Sequence, residues 1–155
     1  MSAMRATSTG SWQWERRWLG YAGLVPFLAC LAVLLLTGDR HWNGIAVDTL
    51  RNYAAVIASF LGALHWALAG ASPDRLQRAR LRWGVVPALV GWALLALPAA
   101  SSLAGFALLF AAILLVDRRL LPILDDGYRR LRLQLSVVVV PTLVAAAALA
   151  AVRPA

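Results

Sequence analysis

Lysine is absent from this chain of 155 residues, and cysteine and glutamate occur once each. The lone Cys30 excludes a disulfide-stapled secreted scaffold. Charge of either sign is scarce, at 14% of residues; soluble domains carry roughly 25%. Apolar residues make up 61% of the chain and the mean hydropathy is +0.71. That excess excludes disorder, and a soluble domain this small could not hide so much apolar surface in one core. Enzyme signatures are missing too: there is no nucleophile elbow, phosphate loop, HExxH pair or pair of carboxylates within the apolar runs. The expectation is a non-enzymatic integral membrane protein that needs no metal and no cofactor.

What is present is a series of long uncharged runs. They cover 21 residues between Arg17 and Asp39, 22 between Arg51 and Asp74, 34 between Arg82 and Asp117, and 20 between Arg132 and Arg153. A helix crosses the hydrocarbon core with about 20 apolar residues, so three runs fit one helix each. The 34-residue run holds Pro98-Ala99-Ala100-Ser101-Ser102 near its middle, where proline stops one helix and the serines can start another. It reads as a tight hairpin. The expected fold is therefore all-α: a polytopic membrane bundle of five transmembrane helices near 18–37, 51–71, 83–98, 102–117 and 132–151. They form one domain, 18–152, behind an amino-terminal segment 1–17.

The fifteen arginines orient it. Five spans place Arg5, Arg16, Arg17, Arg75, Arg78, Arg80, Arg82, Arg118, Arg119, Arg129, Arg130 and Arg132 on one side, leaving Arg40, Arg51 and Arg153 on the other. Four spans would split them eight to seven and erase the bias. Short cytoplasmic loops retain positive charge, so the amino terminus is expected inside and the carboxy terminus outside. Trp12, Trp14, Trp18 and Trp83 then fall at inner helix ends and Trp42 on an outer loop, where indoles anchor at the interface. Arginines facing anionic lipid headgroups account for the net charge of +8 without nucleic acid. The first apolar run is longer than a signal-peptide core and no small-x-small cleavage site follows it, so it is kept as a span.

A Val-Pro-x-Leu phrase recurs at Val25-Pro26, Val86-Pro87 and Val140-Pro141, in the three helices expected to run from inside to outside. Each proline frees the carbonyl four residues before it. Kinks are expected at Pro26 and Pro141 more than at Pro87, which lies in the first turn of a helix beginning at 83.

The polar inventory at membrane depth is thin, and no acid or arginine is expected deep in a span. Its pointed feature is Ser59-Phe60-Leu61-Gly62-Ala63-Leu64-His65-Trp66. Helical spacing puts Ala58, Gly62, His65 and Ala69 on one face, so His65 points toward a closely packed neighbour. Ser59, Gly62, His65 and Trp66 form the candidate intramembrane polar site. His65 is open to three readings: an interhelical strut, a proton- or ligand-binding group, or a metal or haem ligand. The last is disfavoured because the other histidine, His41, falls on the opposite side. Asp117-Arg118-Arg119 and Asp125-Asp126-Gly127-Tyr128-Arg129-Arg130 read as solvated interfacial charge or as an acidic–basic docking site.

The Ser59–Trp66 run, together with Gly23-Leu24-Val25-Pro26-Phe27-Leu28, Trp83-Gly84-Val85-Val86-Pro87-Ala88-Leu89 and Tyr128-Arg129-Arg130-Leu131-Arg132, resembles the bacterial membrane family called domain of unknown function 3429, which includes the eukaryotic transmembrane protein 69. The resemblance covers roughly Trp18 to Ala150. It implies a small multi-pass protein of the bacterial inner membrane and supplies no activity. The functional expectation is an accessory or assembly component of a membrane complex, partnered by the bilayer and by another membrane protein or a second copy of itself. The alternative is a small transporter or channel subunit for a neutral or weakly acidic solute, using His65.

Overall fold

A computed structural model describes residues 18–71, 75–120 and 126–152. Among them every regular element is an α-helix: α1 (Val25–Leu36), α2 (Arg40–Ala71), α3 (Gln77–Leu95), α4 (Ala99–Leu120) and α5 (Asp126–Val152). A helical turn at 18–22 precedes α1, separated from it by a turn at 23–24. The segment 1–17 with Trp12 and Trp14, and Asp125, lie outside the described residues.

Helix ends follow local chemistry. Asp39 caps α2: its Oδ1 accepts from the backbone N–H of His41 (2.7 Å) and Trp42 (3.4 Å), so two amides of the first turn gain a partner. The helix therefore starts eleven residues before the expected 51, and the outer loop assigned to Trp42 is helical. Its 32 residues reach about 48 Å at 1.5 Å per residue, longer than a hydrocarbon core of about 30 Å. Asn43, Ala46, Val47, Leu50, Ala54, Ala58, Leu61, His65 and Ala69 are buried along it, the spacing of a single helical stripe. Pro98 stands immediately before α4, and three residues, 96–98, make the turn from α3. That is the hairpin expected in the long uncharged run.

Helix α2 packs on α1, α3 and α4; α5 packs on α4 and α1; and α3 also touches α4. Near the middle of this ring the Phe27 ring meets Tyr53 and Phe110 edge-on, with centroids 5.1 and 6.0 Å away. Outward, Leu28, Leu35, Phe60, Leu89, Trp92, Leu108, Leu115, Val137 and Val144 are exposed, an apolar exterior suited to lipid and unlike the surface of a soluble monomer.

Four stretches, Trp18–Leu36, Arg40–Gly70, Ala99–Leu120 and Asp126–Val152, are long and apolar enough to cross a membrane. Helix α3 is not among them, because Arg78, Arg80 and Arg82 occupy its first two turns. The expected five transmembrane helices thus appear as five helices, four of them with the composition of a span. An earlier start for α3 also corrects the placement of Pro87, which lies in the helix interior rather than in a first turn. Pro141 is likewise interior to α5, while Pro26 sits in the first turn of α1. The Tyr53 hydroxyl donates to the Gly23 carbonyl (3.1 Å) in the turn just before Pro26.

Candidate functional site

The end of the bundle formed by the start of α3, the ends of α2 and α4 and the start of α5 carries Arg75, Arg78, Arg82, Arg118, Arg119, Arg129 and Arg130. Just inside it lies a buried ionic cluster. Asp117 is 7% exposed in the last turns of α4, and Arg132 is 8% exposed in the second turn of α5. Arg132 donates to Asp117 Oδ2 through both Nε (2.9 Å) and Nη2 (2.7 Å). The second carboxylate oxygen, Oδ1, faces His65 Nε2 at 3.3 Å. On its other side the His65 ring sets Nδ1 3.2 Å from the Leu61 carbonyl. Both neighbours of the ring are acceptors. A neutral imidazole can donate to one of them and a doubly protonated one to both.

Fully buried Arg80 of α3 donates from Nε to the Leu120 carbonyl (2.7 Å) at the end of α4. A cation there satisfies a carbonyl left unpaired by the helix end and meets the negative pole of the helix dipole. The neutral Gln77 amide likewise donates from Nε2 to the Ala69 carbonyl near the end of α2 (3.0 Å). Asp117, Arg132 and Arg80 are thus buried inside the bundle near helix ends, which reading charges only as boundaries of spans did not anticipate. Asp117 is accordingly a buried ion-pair partner and not a solvated interfacial charge.

At the opposite end Arg51 has a comparable role. Its Nη2 donates to the Leu95 (2.5 Å) and Leu97 (2.9 Å) carbonyls, and its Nε to Ser102 Oγ (3.1 Å). One side chain from α2 thus clasps the α3–α4 turn, and Asp48 stands 3.4 Å from its Nη1.

The four residues singled out as a polar site have different settings. His65 joins the ionic cluster. Gly62 lies against the backbone of Gly84, so close that a Cβ on it would collide with the Gly84 carbonyl oxygen. Trp66, 54% exposed, donates from its indole to the Leu81 carbonyl (2.9 Å) across the same crossing. Ser59 turns its hydroxyl back onto the Ala55 carbonyl of its own helix (2.8 Å). Two cavities flank the cluster. One of about 450 Å³ opens between α4 and α5 and is lined by Asp117, Arg118, Tyr128, Arg129, Arg130 and Arg132. A smaller apolar cleft of about 160 Å³ includes Phe27, Phe60, Phe110, Arg132 and Ser136. Among the described residues no group of three or more His, Cys, Asp or Glu is placed to hold a metal ion.

The family described as "Protein of unknown function (DUF3429)" matches residues 13–148. The chain belongs to this family. It is 34% identical over 131 residues to "Transmembrane protein 69" of Xenopus tropicalis, across 82% of this chain and 51% of that protein. This DUF3429 chain thus spans about half the length of the curated relative it matches. No solved structure matches it. Apolar helices of spanning length and a transmembrane relative make it a multi-pass membrane protein.

Proposed function

We propose that this DUF3429 protein is a non-catalytic building block that packs against, or helps assemble, a larger membrane complex. The observation that supports this reading is how the buried ions Arg80, Asp117 and Arg132, and the partly buried Arg51, are used. Arg51, Arg80, Asp117 and Arg132 each join one helix to another. A buried ion pair adds little net stability, but breaking it is costly, so it fixes which arrangement of helices survives. Such ties suit a rigid scaffold with an apolar exterior available to other helices. The transport reading finds no supporting observation among the described residues.

In the same proposal α3 completes a fifth crossing. The arginine-rich end then faces the cytoplasm, with the amino terminus, in a bacterial inner membrane. The positive-inside bias supports that orientation. The test is a native mass spectrum of the tagged protein, purified from its own membranes in mild detergent. A second membrane protein, or a second copy, in fixed stoichiometry is the expected result. A monomer without partner would count against the proposal.

A further inference from the structure

We propose that the cavity between the end of α4 and the start of α5 binds the phosphate of an anionic phospholipid headgroup. Its volume of about 450 Å³ lies within the 300–1,000 Å³ typical of small-ligand sites. Four guanidinium groups line it, with the carboxylates of Asp117 and Asp126. Arg132 is committed to Asp117, and Arg129 Nη1 lies 3.7 Å from Asp126 Oδ1. Arg118 and Arg130 make no ion pair or hydrogen bond with any described residue. Among the described residues the cavity therefore presents two uncommitted cations and a formal surplus of two positive charges. The planar guanidinium fork matches the oxygens of a phosphate.

Position separates a lipid from a soluble anion. The cavity sits where α4 ends and α5 begins, which in a bilayer crossed by both helices is the level of the headgroups. Leu114 and Leu133 form its apolar walls. Leu115 and Val137 continue an exposed apolar surface along the same two helices, where acyl chains can lie. By contrast Arg78 and Arg82, exposed at the same end, line neither of the two cavities described. The inference is independent of the accessory role proposed above, since a lipid can occupy this cavity whether or not a protein partner is present.

Native mass spectrometry of the full chain with phosphatidylglycerol or phosphatidylcholine tests it. The purified protein should retain phosphatidylglycerol in preference to phosphatidylcholine at equal concentration. R118Q/R130Q should weaken that binding by about twenty-fivefold, at about fivefold per arginine. R78Q/R82Q, which removes the same charge from the same end, should leave it within about twofold. All four arginines are exposed, so neither variant removes a core contact. Equal retention of the two lipids, or equal losses in the two variants, would overturn the proposal. So would displacement of the lipid by inorganic phosphate, which would make the site one for free phosphate.

Discussion

Asp117 decides most at the scale of single residues. Its carboxylate holds Arg132 through one oxygen and faces His65 with the other. D117N keeps the shape and removes the charge, leaving the Arg132 guanidinium buried without a counter-ion. The expected cost is about 3–5 kcal/mol, read as a lowered unfolding temperature in detergent. H65L leaves the Asp117–Arg132 pair in place and should cost about 1 kcal/mol, the scale of an interhelical polar contact in membranes. If H65L proved as damaging as D117N, the histidine would be the centre of the cluster and not its neighbour. His65 was legible in the sequence because its small-residue face follows helical spacing. Asp117 and Arg132 were not, because counting charges to find span boundaries treats every charge as an end. The missed signal was periodicity: Ser102, Phe106, Phe110, Ile113 and Asp117 all fall on the buried stripe of α4, and Arg132, Ser136, Val139 and Leu143 on that of α5.

Between elements, backbone approach and clasping side chains set the packing. The α2–α3 crossing brings Gly62 against Gly84, and the obstacle to any added side chain is a carbonyl oxygen that cannot rotate away. G62V should therefore push the helices apart and lower stability by about 1–3 kcal/mol. Gly70, on the same helix, is the control, because a Cβ added there would meet nothing within 4 Å. G70A should be neutral, or stabilising by up to about 1 kcal/mol through helix propensity alone. Arg51 belongs to this scale because it secures the α3–α4 turn from α2. R51A should cost about 1.5–3 kcal/mol, the worth of hydrogen bonds to a charged group, and should make the turn at 96–98 more sensitive to protease. The hairpin was readable from Pro98 and the serines after it. The true length of α2 was hidden, because Arg40, Asp48 and Arg51 look like a loop until Asp39 is recognised as a cap and Asn43, Ala46, Val47 and Leu50 as one buried face.

Across the whole molecule, an apolar exterior surrounds a bundle whose two ends are fastened differently. Arg51 clasps one end, and the Asp117–Arg132 pair with Arg80 fastens the other. Composition alone pointed to a membrane protein, since 61% apolar residues in so short a chain leave few alternatives, and the uncharged runs of about 20 residues made it helical. It could not separate a helix that crosses from one that enters on an arginine-rich turn, because α3 carries both kinds of sequence. On the proposed reading the buried ions are struts between helices and not the working parts of a site. The variant D117L/R132L tests it most directly, because replacing both members of a buried ion pair by apolar residues is often neutral or stabilising, whereas removing one is not. Native mass spectrometry of this variant, alongside its thermal unfolding, should give a protein at least as stable as the natural one to within about 1 kcal/mol, still holding the proposed partner in the same stoichiometry. A double variant that is folded and equally stable but has lost the partner would contradict the account and make the cluster the functional site itself.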